Sequence, residues 1–204
     1  MARRSSQALR NLYAVATRQG SYFTAKQAAA MGYSKQHLDY HRRFGNFERI
    51  ERGLYRLPTL PFSPHDDLIR WSLWSRGRDD RPQAVVSHET ALAFYELSDL
   101  IPAKIHLSVP PGFRKTPPPV CILHKAVLTP QEEELGEGFR VTTPLRTLVD
   151  VAAAPVPQEQ VERAIEEALE RGLVRRSQLV EALRSHPFTR RQILSAPALR
   201  RAVG

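Results

Sequence analysis

A helix-turn-helix signal followed directly by a hairpin signal is the feature that most restricts the fold of this chain. Thr24 and Gln27 have the spacing of a capping box, and the segment AKQAAAM then ends at Gly32. Ser34 is a second N-cap candidate, which opens the segment KQHLDYHRRF before Gly45. The sequence therefore predicts two short helices joined by a tight turn, because glycine is the usual residue after a helix end.

The hairpin signal is the segment FERIERGLYRL. Two β-prone runs, residues 47–50 and 54–57, flank a turn that contains Gly53. Upstream, apolar residues recur at helical spacing within residues 6–19, which predicts a first helix. Three helices followed by a hairpin are typical of a winged helix-turn-helix domain, and we predict this domain for residues 1–57.

A proline-rich run, LPTLPFSP, follows the hairpin. Its prolines remove backbone donors and prevent helix continuation, so residues 58–64 are predicted to form an extended linker. Residues 65–204 then mix helix and strand signals, with a helical C-terminal part. The predicted fold class is α+β: an N-terminal winged helix-turn-helix domain followed by a mixed α/β C-terminal domain. The strand signals are QAVVS, KIHLSV, VCILHK and FRVTT, and the helix signals cover residues 66–74, 88–97, 144–154, 158–171 and 177–183.

Positive charge is concentrated at the two ends of the chain. The formal net charge is +9, yet residues 61–170 carry more acidic than basic side chains. Residues 1–60 carry eleven Lys or Arg against three acidic residues, and residues 171–204 carry eight against one. Such asymmetry indicates a polyanionic partner, of which nucleic acid is the commonest. The alternative is a solvated basic face that only aids solubility.

The third predicted helix carries side chains that suit base recognition. A recognition helix contacts base edges mainly through its N-terminal part, where Lys35, Gln36 and Tyr40 lie. Arg42 and Arg43 lie nearer its C-terminal end and suit phosphate contacts. They also suit a solvated helix face at the negative end of the helix dipole, so both interpretations stay open.

Two arginines frame the predicted hairpin tip. Arg49 and Arg52 would reach the sugar-phosphate backbone or the minor groove as a wing. The basic tail, RRSQLVEALRSHPFTRRQ, would extend the DNA footprint or mediate pairing, and its alternative is a solvated helix.

Enzymatic signals are weak throughout the chain. The sequence contains neither a G-x-G-x-x-G motif nor a P-loop, which disfavours nucleotide binding. His37 and His41 have the spacing of a metal pair, but the glutamate of an H-E-x-x-H site is absent. Ser87 and His88 are adjacent in sequence and cannot form a triad without other partners, so Ser87 is predicted to cap a helix. We predict no catalytic site, no cofactor and no metal site.

A nuclease is the natural enzymatic competitor for a chain that binds DNA. Restriction-type nucleases carry an acidic residue two positions before a lysine on a strand, and none of the five lysines has one. The single cysteine, Cys121, lies in an apolar run and is predicted to be a buried, inert thiol. In TTPLRTLVD, Arg146 and Asp150 have i, i+4 spacing, which favours a structural ion pair over a role in a site.

Five segments between residues 20 and 152 form a further pattern: GSYFTAKQAAAMGYS, FERIERGLYRL, SHETALAFYEL, KIHLSVP and TTPLRTLVDVA. Together they resemble the AbiEi-type antitoxins of type IV toxin-antitoxin systems. The resemblance implies a transcriptional repressor that binds inverted repeats of double-stranded DNA in its own promoter. It also implies a C-terminal antitoxin domain that counters a nucleotidyltransferase-like toxin encoded beside it. The DNA contacts that it implies are Ser34, Lys35, Gln36, Arg42, Arg43, Arg49 and Arg52.

Two other functions stay open as alternatives. One is a DNA-processing enzyme with a nuclease-like C-terminal domain, and the other is a module that binds an acidic protein through its basic helix. For a repressor we expect two molecules per operator, because a single winged helix makes a small interface. No segment has the roughly 20 apolar residues that span a bilayer, and the N-terminus is not typical of a signal peptide. We therefore expect a cytoplasmic protein without a membrane partner.

Overall fold

The chain divides into two units after Gln83. A computed structural model describes residues 2–185, with side chains from Ser6 onward. Unit one comprises Met1–Gln83 and Leu135–Phe139, and unit two comprises Ala84–Glu134 and Arg140–Gly204. The compact units therefore do not divide at the proline-rich residues 58–64, and the predicted domain ranges stay a prediction.

Unit one begins with the element order of a winged helix. Its elements are helix α1 (Ala2–Thr17), strand β1 (Tyr22–Thr24), helix α2 (Ala25–Ala30), helix α3 (Lys35–Arg43), strands β2 (Glu48–Glu51) and β3 (Leu54–Arg56), and helix α4 (Asp66–Trp74). The strands form an antiparallel sheet in the order β1-β3-β2. The predicted winged helix-turn-helix is confirmed, and β1 is a strand that the sequence pattern did not indicate.

Capping residues place the N-terminal ends of α2 and α3. The Thr24 hydroxyl accepts a hydrogen bond from the Gln27 amide at 3.1 Å, and the Gln27 side chain accepts one from the Thr24 amide at 2.8 Å. The Ser34 hydroxyl accepts from the His37 amide at 3.2 Å. Gly32 adopts a φ of 93° in the turn between the helices, a conformation that favours glycine. Both predicted N-caps are confirmed.

The core of unit one fixes α3 against α1 and the sheet. Leu12 of α1, Phe23 of β1 and Leu38 of α3 belong to one buried cluster. Phe23 meets Phe47 edge to face, with ring centroids 5.0 Å apart. These contacts hold the opposite face of α3 outward.

The proline-rich segment packs against unit one. The Arg56 guanidinium lies 3.4 Å from the centroid of the Phe62 ring, and it donates to the Leu60 carbonyl at 3.3 Å. The Tyr13 and Thr59 hydroxyls are 2.8 Å apart. Side-chain contacts therefore anchor the segment that was predicted to be an extended linker.

The rest of the described chain is mixed α/β. Its elements are β4 (Val85–Val86), α5 (His88–Phe94), β5 (Ile105–Val109), β6 (Cys121–Lys125), β7 (Glu133–Leu135), β8 (Arg140–Thr142), α6 (Pro144–Ala153), α7 (Gln158–Glu170) and α8 (Arg176–Ser185). The strands form a sheet in the order β6-β5-β4-β8-β7, in which β4 runs antiparallel to β5 and parallel to β8. The fold class is confirmed, and β7 is a further strand without a sequence signal.

The core of unit two lies among its helices. Leu92 of α5, Leu148 of α6, Ile165 of α7 and Leu179 of α8 belong to one buried cluster. Cys121 is buried, as predicted. Within residues 2–185, no helix has the length and apolar character that crossing a membrane requires. The C-terminal half of the predicted basic tail lies outside the described residues.

Candidate nucleic-acid interface

Two residues set the core-facing side of α3. Leu38 is buried, and the His41 ring stacks on Phe47 with centroids 4.5 Å apart. Burial lowers the pKa of His41, and nearby His37 lowers it further, so the His41 ring is neutral at neutral pH. His41 therefore packs against Phe47 and is not a cationic contact at neutral pH.

The opposite side of α3 is exposed. Gln36, Tyr40 and Arg43 follow one another at i, i+4 and i+7, so they share one stripe that points away from Leu38. The predicted contacts that are exposed on this helix are Lys35, Gln36, Tyr40, Arg42 and Arg43. We call the exposed arc that carries these five residues the outward face of α3, with Lys35 and Arg42 at its border, three and four positions from buried Leu38.

Ser34 has a structural task at this surface. It is exposed, and its oxygen already accepts the capping hydrogen bond from the His37 amide. Its hydroxyl proton can still be donated to an acceptor such as a phosphate oxygen. A DNA contact by Ser34 is thus compatible with its role as the cap.

The wing carries the other two candidates. Arg49 is exposed on β2, and its Nε donates to the Glu51 carbonyl at 3.3 Å. Arg52 is exposed in the turn, where Gly53 adopts a φ of 79°. The hairpin therefore presents two guanidinium groups near its tip.

The acidic residues of this region are matched by arginines. Glu51 accepts two hydrogen bonds from Arg70, at 3.1 Å and 2.5 Å. Glu48 lies 3.5 Å from Arg56. The third acid, Asp39, lies 3.8 Å from Arg42, and both are about half exposed.

Several basic residues are left without such compensation. Among the side chains that the structure describes, no acidic group lies within 4.0 Å of Lys35, Arg43, Arg49 or Arg52. Uncompensated cations on one surface attract a polyanion more strongly than paired ones do. Their roles as DNA contacts stay predictions.

An exposed aromatic pair lies at the C-terminal end of α3. Phe44 is 66% exposed and Tyr40 is 55% exposed, and their ring centroids are 4.5 Å apart. Phe44 was not among the contacts predicted from the sequence. Its i+4 distance from Tyr40 was the available signal.

A groove borders the same helix on its other side. It has a volume of about 1030 Å³ and lies between α1 and α3. Ala8, Met31, Tyr33 and Tyr40 are among its lining residues. Tyr40 therefore belongs both to the outward face and to the groove, whereas Phe44 does not line the groove.

A separate polar cluster is buried in unit two. Ser87 occupies the N-cap position of α5, as predicted, but its side chain makes no capping hydrogen bond. Its Oγ instead accepts a hydrogen bond from Ser108 at 2.9 Å and lies 3.0 Å from His88 Nδ1. The side-chain capping bond is absent because Ser108 of β5 competes for the Ser87 hydroxyl.

Three imidazole rings form the centre of this cluster. His88 stacks on His124 with centroids 3.5 Å apart, and His124 Nε2 lies 3.1 Å from His106 Nδ1. Burial lowers the pKa of His88 to about 3 and that of His124 to about 4. Burial also lowers the pKa of His106, although Glu89 opposes this effect. All three rings are therefore neutral at neutral pH.

The predicted ion pair lies beside these rings. Arg146 Nε donates to Asp150 at 2.8 Å, and Arg146 Nη1 donates to Glu132 at 2.6 Å. The structural pair of Arg146 and Asp150 is confirmed. Burial raises the pKa of Asp150 to about 6, against the lowering effect of Arg146.

The geometry of the cluster does not match a catalytic relay. Ser87 Oγ and Asp150 Oδ2 both approach Nδ1 of His88, at 3.0 Å and 4.0 Å. A Ser-His-Asp relay uses opposite nitrogens of the ring. The stacked rings also lie nearly parallel, with 12° between His88 and His124, so their lone pairs do not converge on one point. Among the described residues, no group of three or more His, Cys, Asp or Glu side chains could hold a metal ion.

Comparisons with known proteins agree with the fold. A family model described as "Transcriptional regulator, AbiEi antitoxin" matches residues 10–58, and one described as "AbiEi antitoxin C-terminal domain" matches residues 84–196. The crystal structure of the RV2827C protein from Mycobacterium tuberculosis superposes with a TM-score of 0.63 at 14% identity. That match covers 97% of this chain and 80% of the other, and at this identity it bears on the fold alone. No curated protein matches.

The fold and the cationic helix and wing define a winged-helix protein of the regulator class, joined to a mixed α/β unit. The two family models together span most of the described residues. The chain belongs to the AbiEi antitoxin family.

Proposed function

We propose that this protein binds duplex DNA through α3 and the wing, and that it represses transcription of its own operon. The observation that carries the proposal is the cationic surface of α3 and the wing, whose three acidic residues, Asp39, Glu48 and Glu51, each lie beside an arginine. Exposed Lys35, Arg43 and Arg52 are then free to contact phosphates. Inverted repeats suit such a protein, because two copies related by a twofold axis would occupy two half-sites.

The second part of the proposal concerns unit two. We infer that it carries the antitoxin activity of a type IV system and counters a nucleotidyltransferase-like toxin. The support is the match of residues 84–196 to the antitoxin C-terminal domain. A protein with these two activities needs no catalytic site, and it acts in the cytoplasm, where its promoter and toxin are found.

A mobility-shift assay on selected DNA tests the first part. Duplexes are selected by the full chain from a random library, and binding is then compared for the wild type and three variants. We expect Arg43→Ala and Arg52→Ala to weaken binding to all selected duplexes by a similar factor, because phosphate contacts carry no sequence information. We expect Gln36→Ala to relax preference at one base pair, at a cost of roughly 1–3 kcal/mol in discrimination.

A matched control is available in the same unit. Arg78 is exposed but lies in the loop after α4, so Arg78→Ala should bind like the wild type. If the wild type binds no duplex at low salt, or if Arg78→Ala loses as much affinity as Arg52→Ala, the proposed surface is not the DNA-binding surface.

A further inference from the structure

The aromatic pair at the end of α3 needs an explanation beyond folding. Single exposed apolar side chains are ordinary on protein surfaces, but Tyr40 and Phe44 are in contact with each other and both are more than half exposed. The core-facing side of α3 is already filled by Leu38 and His41. The pair therefore contributes little to the packing of unit one.

Its position relates it to the side chains that suit base recognition. Gln36, Tyr40 and Arg43 share the outward stripe of α3, and Phe44 flanks Tyr40 one turn beyond that residue. Four residues of helix span about 6 Å, which is close to two base-pair steps of about 3.4 Å each. Tyr40 would therefore lie about two base pairs from the position that Gln36 contacts, and Phe44, about 12 Å along the helix from Gln36, would lie three to four base pairs from it.

The major groove offers one apolar group that such a pair can contact. Thymine carries a C5-methyl group there. Glutamine hydrogen-bonds best to adenine, the base that pairs with thymine. An outward face that combines Gln36 with two aromatic rings thus matches a run of A·T base pairs.

The charges around the pair favour DNA over a second copy of the chain. Lys35, Arg42 and Arg43 share the outward face with one acid, Asp39, so a twofold contact through this face would bring together two surfaces of net positive charge. Duplex DNA brings phosphates to the same cations instead.

We propose that Tyr40 and Phe44 select thymine by packing against its C5-methyl group, so that each half-site contains thymine two to four base pairs from the base pair read by Gln36. This inference rests on the proposed DNA binding and names the sequence class that the interface prefers. Tyr40 and Phe44 are specificity-determining residues in this account, and the arginines supply affinity.

Deoxyuridine substitution isolates the methyl group. A duplex selected by the full-length protein is compared with duplexes in which single thymines are replaced by deoxyuridine, which pairs identically but lacks the methyl. We expect wild-type affinity to fall about fourfold at one or two positions in each half-site, the effect of exposing one methyl-sized apolar contact. Phe44→Ala should bind the thymine and deoxyuridine duplexes equally.

Phe44 is the better residue to change, because Tyr40 also lines the groove between α1 and α3. Phe62 is the matched control, since it is also 66% exposed in unit one but lies outside α3. Phe62→Ala should keep the wild-type fourfold discrimination. Phe44→Leu, which retains an apolar side chain, should keep part of it, and circular dichroism confirms that each variant is folded.

Each other outcome has a defined meaning. Salt-dependent binding with no discrimination between thymine and deoxyuridine at any position overturns this inference and leaves the proposed DNA binding intact. Full discrimination by Phe44→Ala also overturns it. Equal loss of affinity for both duplexes, together with loss of a dimer in sedimentation, assigns the pair to a protein interface and overturns it as well. Failure of the wild type to bind any duplex removes the proposed function itself.

Discussion

At the scale of single residues, Glu51 determines the charge that the wing presents. It ends β2 and would place a negative charge beside Arg49 and Arg52. Arg70 of α4 donates two hydrogen bonds to it, at 3.1 Å and 2.5 Å, so the charge of the Glu51 carboxylate is compensated within unit one. The sequence could not predict this pair, because the partners lie 19 positions apart and on different elements.

The Arg70–Glu51 pair gives a prediction that separates an indirect effect of Arg70 on DNA affinity from a direct contact between Arg70 and DNA. We expect Arg70→Ala to weaken DNA binding on the order of threefold, because it leaves an uncompensated carboxylate near the wing. Glu51→Gln should restore the affinity of Arg70→Ala to near the wild-type value. Fluorescence anisotropy on one selected duplex measures all four proteins of this double-mutant cycle. An equal loss on removing Arg70 in both backgrounds would mean that Arg70 itself touches DNA.

At the scale of secondary-structure elements, the sequence was most informative where the determinants are local. The Thr24–Gln27 capping box and the Ser34 cap depend on residues three apart, and both predictions are confirmed. β1 was missed because its three residues are all buried and show no alternation, and only pairing with β3 makes them a strand. The N-cap position of Ser87 was predicted, but its hydrogen bond with Ser108 was not, since Ser108 lies on β5, 21 positions away.

The candidate interface was likewise predictable where its determinants are local. Periodicity and side-chain type placed Lys35, Gln36 and Arg43 on one exposed face, because a helix fixes the direction of each residue. The histidine cluster of unit two was not foreseen, since His106 and His124 meet only through the pairing of β5 with β6. Tertiary pairing, rather than local pattern, created that cluster.

The histidine cluster predicts a loss of stability in acid. Folded His88 and His124 have pKa values of about 3 and 4, whereas the unfolded imidazole has a pKa of about 6.5. Between pH 6.5 and 4 the unfolded chain therefore binds protons that the folded chain does not, and unfolding becomes more favourable as the pH falls. Buried His88 alone lowers the free energy of unfolding by at most about 1.4 kcal/mol for each pH unit of acidification. Asp150 has the opposite effect on stability, because its pKa in the folded state is raised to about 6 and its protonation favours the folded state in acid. Glu89 and Arg146 also face the cluster.

Thermal melts at pH 7 and pH 4.5 measure this effect. We expect the melting temperature to fall on acidification, and we expect His124→Phe, which keeps an aromatic ring against His88, to reduce the fall. Equal melting temperatures of the wild type at the two pH values would contradict neutral, buried imidazoles.

At the scale of the whole molecule, the charge asymmetry of the sequence maps onto the first unit. Five of the eleven basic residues within residues 1–60 are exposed on α3 and the wing, and the three acidic residues of the same range each lie beside an arginine. The prolines of residues 58–64 suggested a linker, but Arg56, Phe62 and Thr59 show why this segment stays with unit one. Proline content predicts extended backbone, and it does not predict what the flanking side chains contact.

The salt dependence of DNA binding tests the central claim most directly, namely that this cationic surface lies against duplex phosphates. For each phosphate contact, log K falls by about 0.9 per tenfold rise in salt, so the five predicted Lys and Arg contacts give a slope of about −4.5 for each bound copy. We expect wild-type anisotropy titrations on a selected duplex to show such a steep slope, and Arg52→Ala to make it shallower by about 0.9 per copy. Affinity that does not change with salt, or a slope that Arg52→Ala leaves unchanged, would contradict the account.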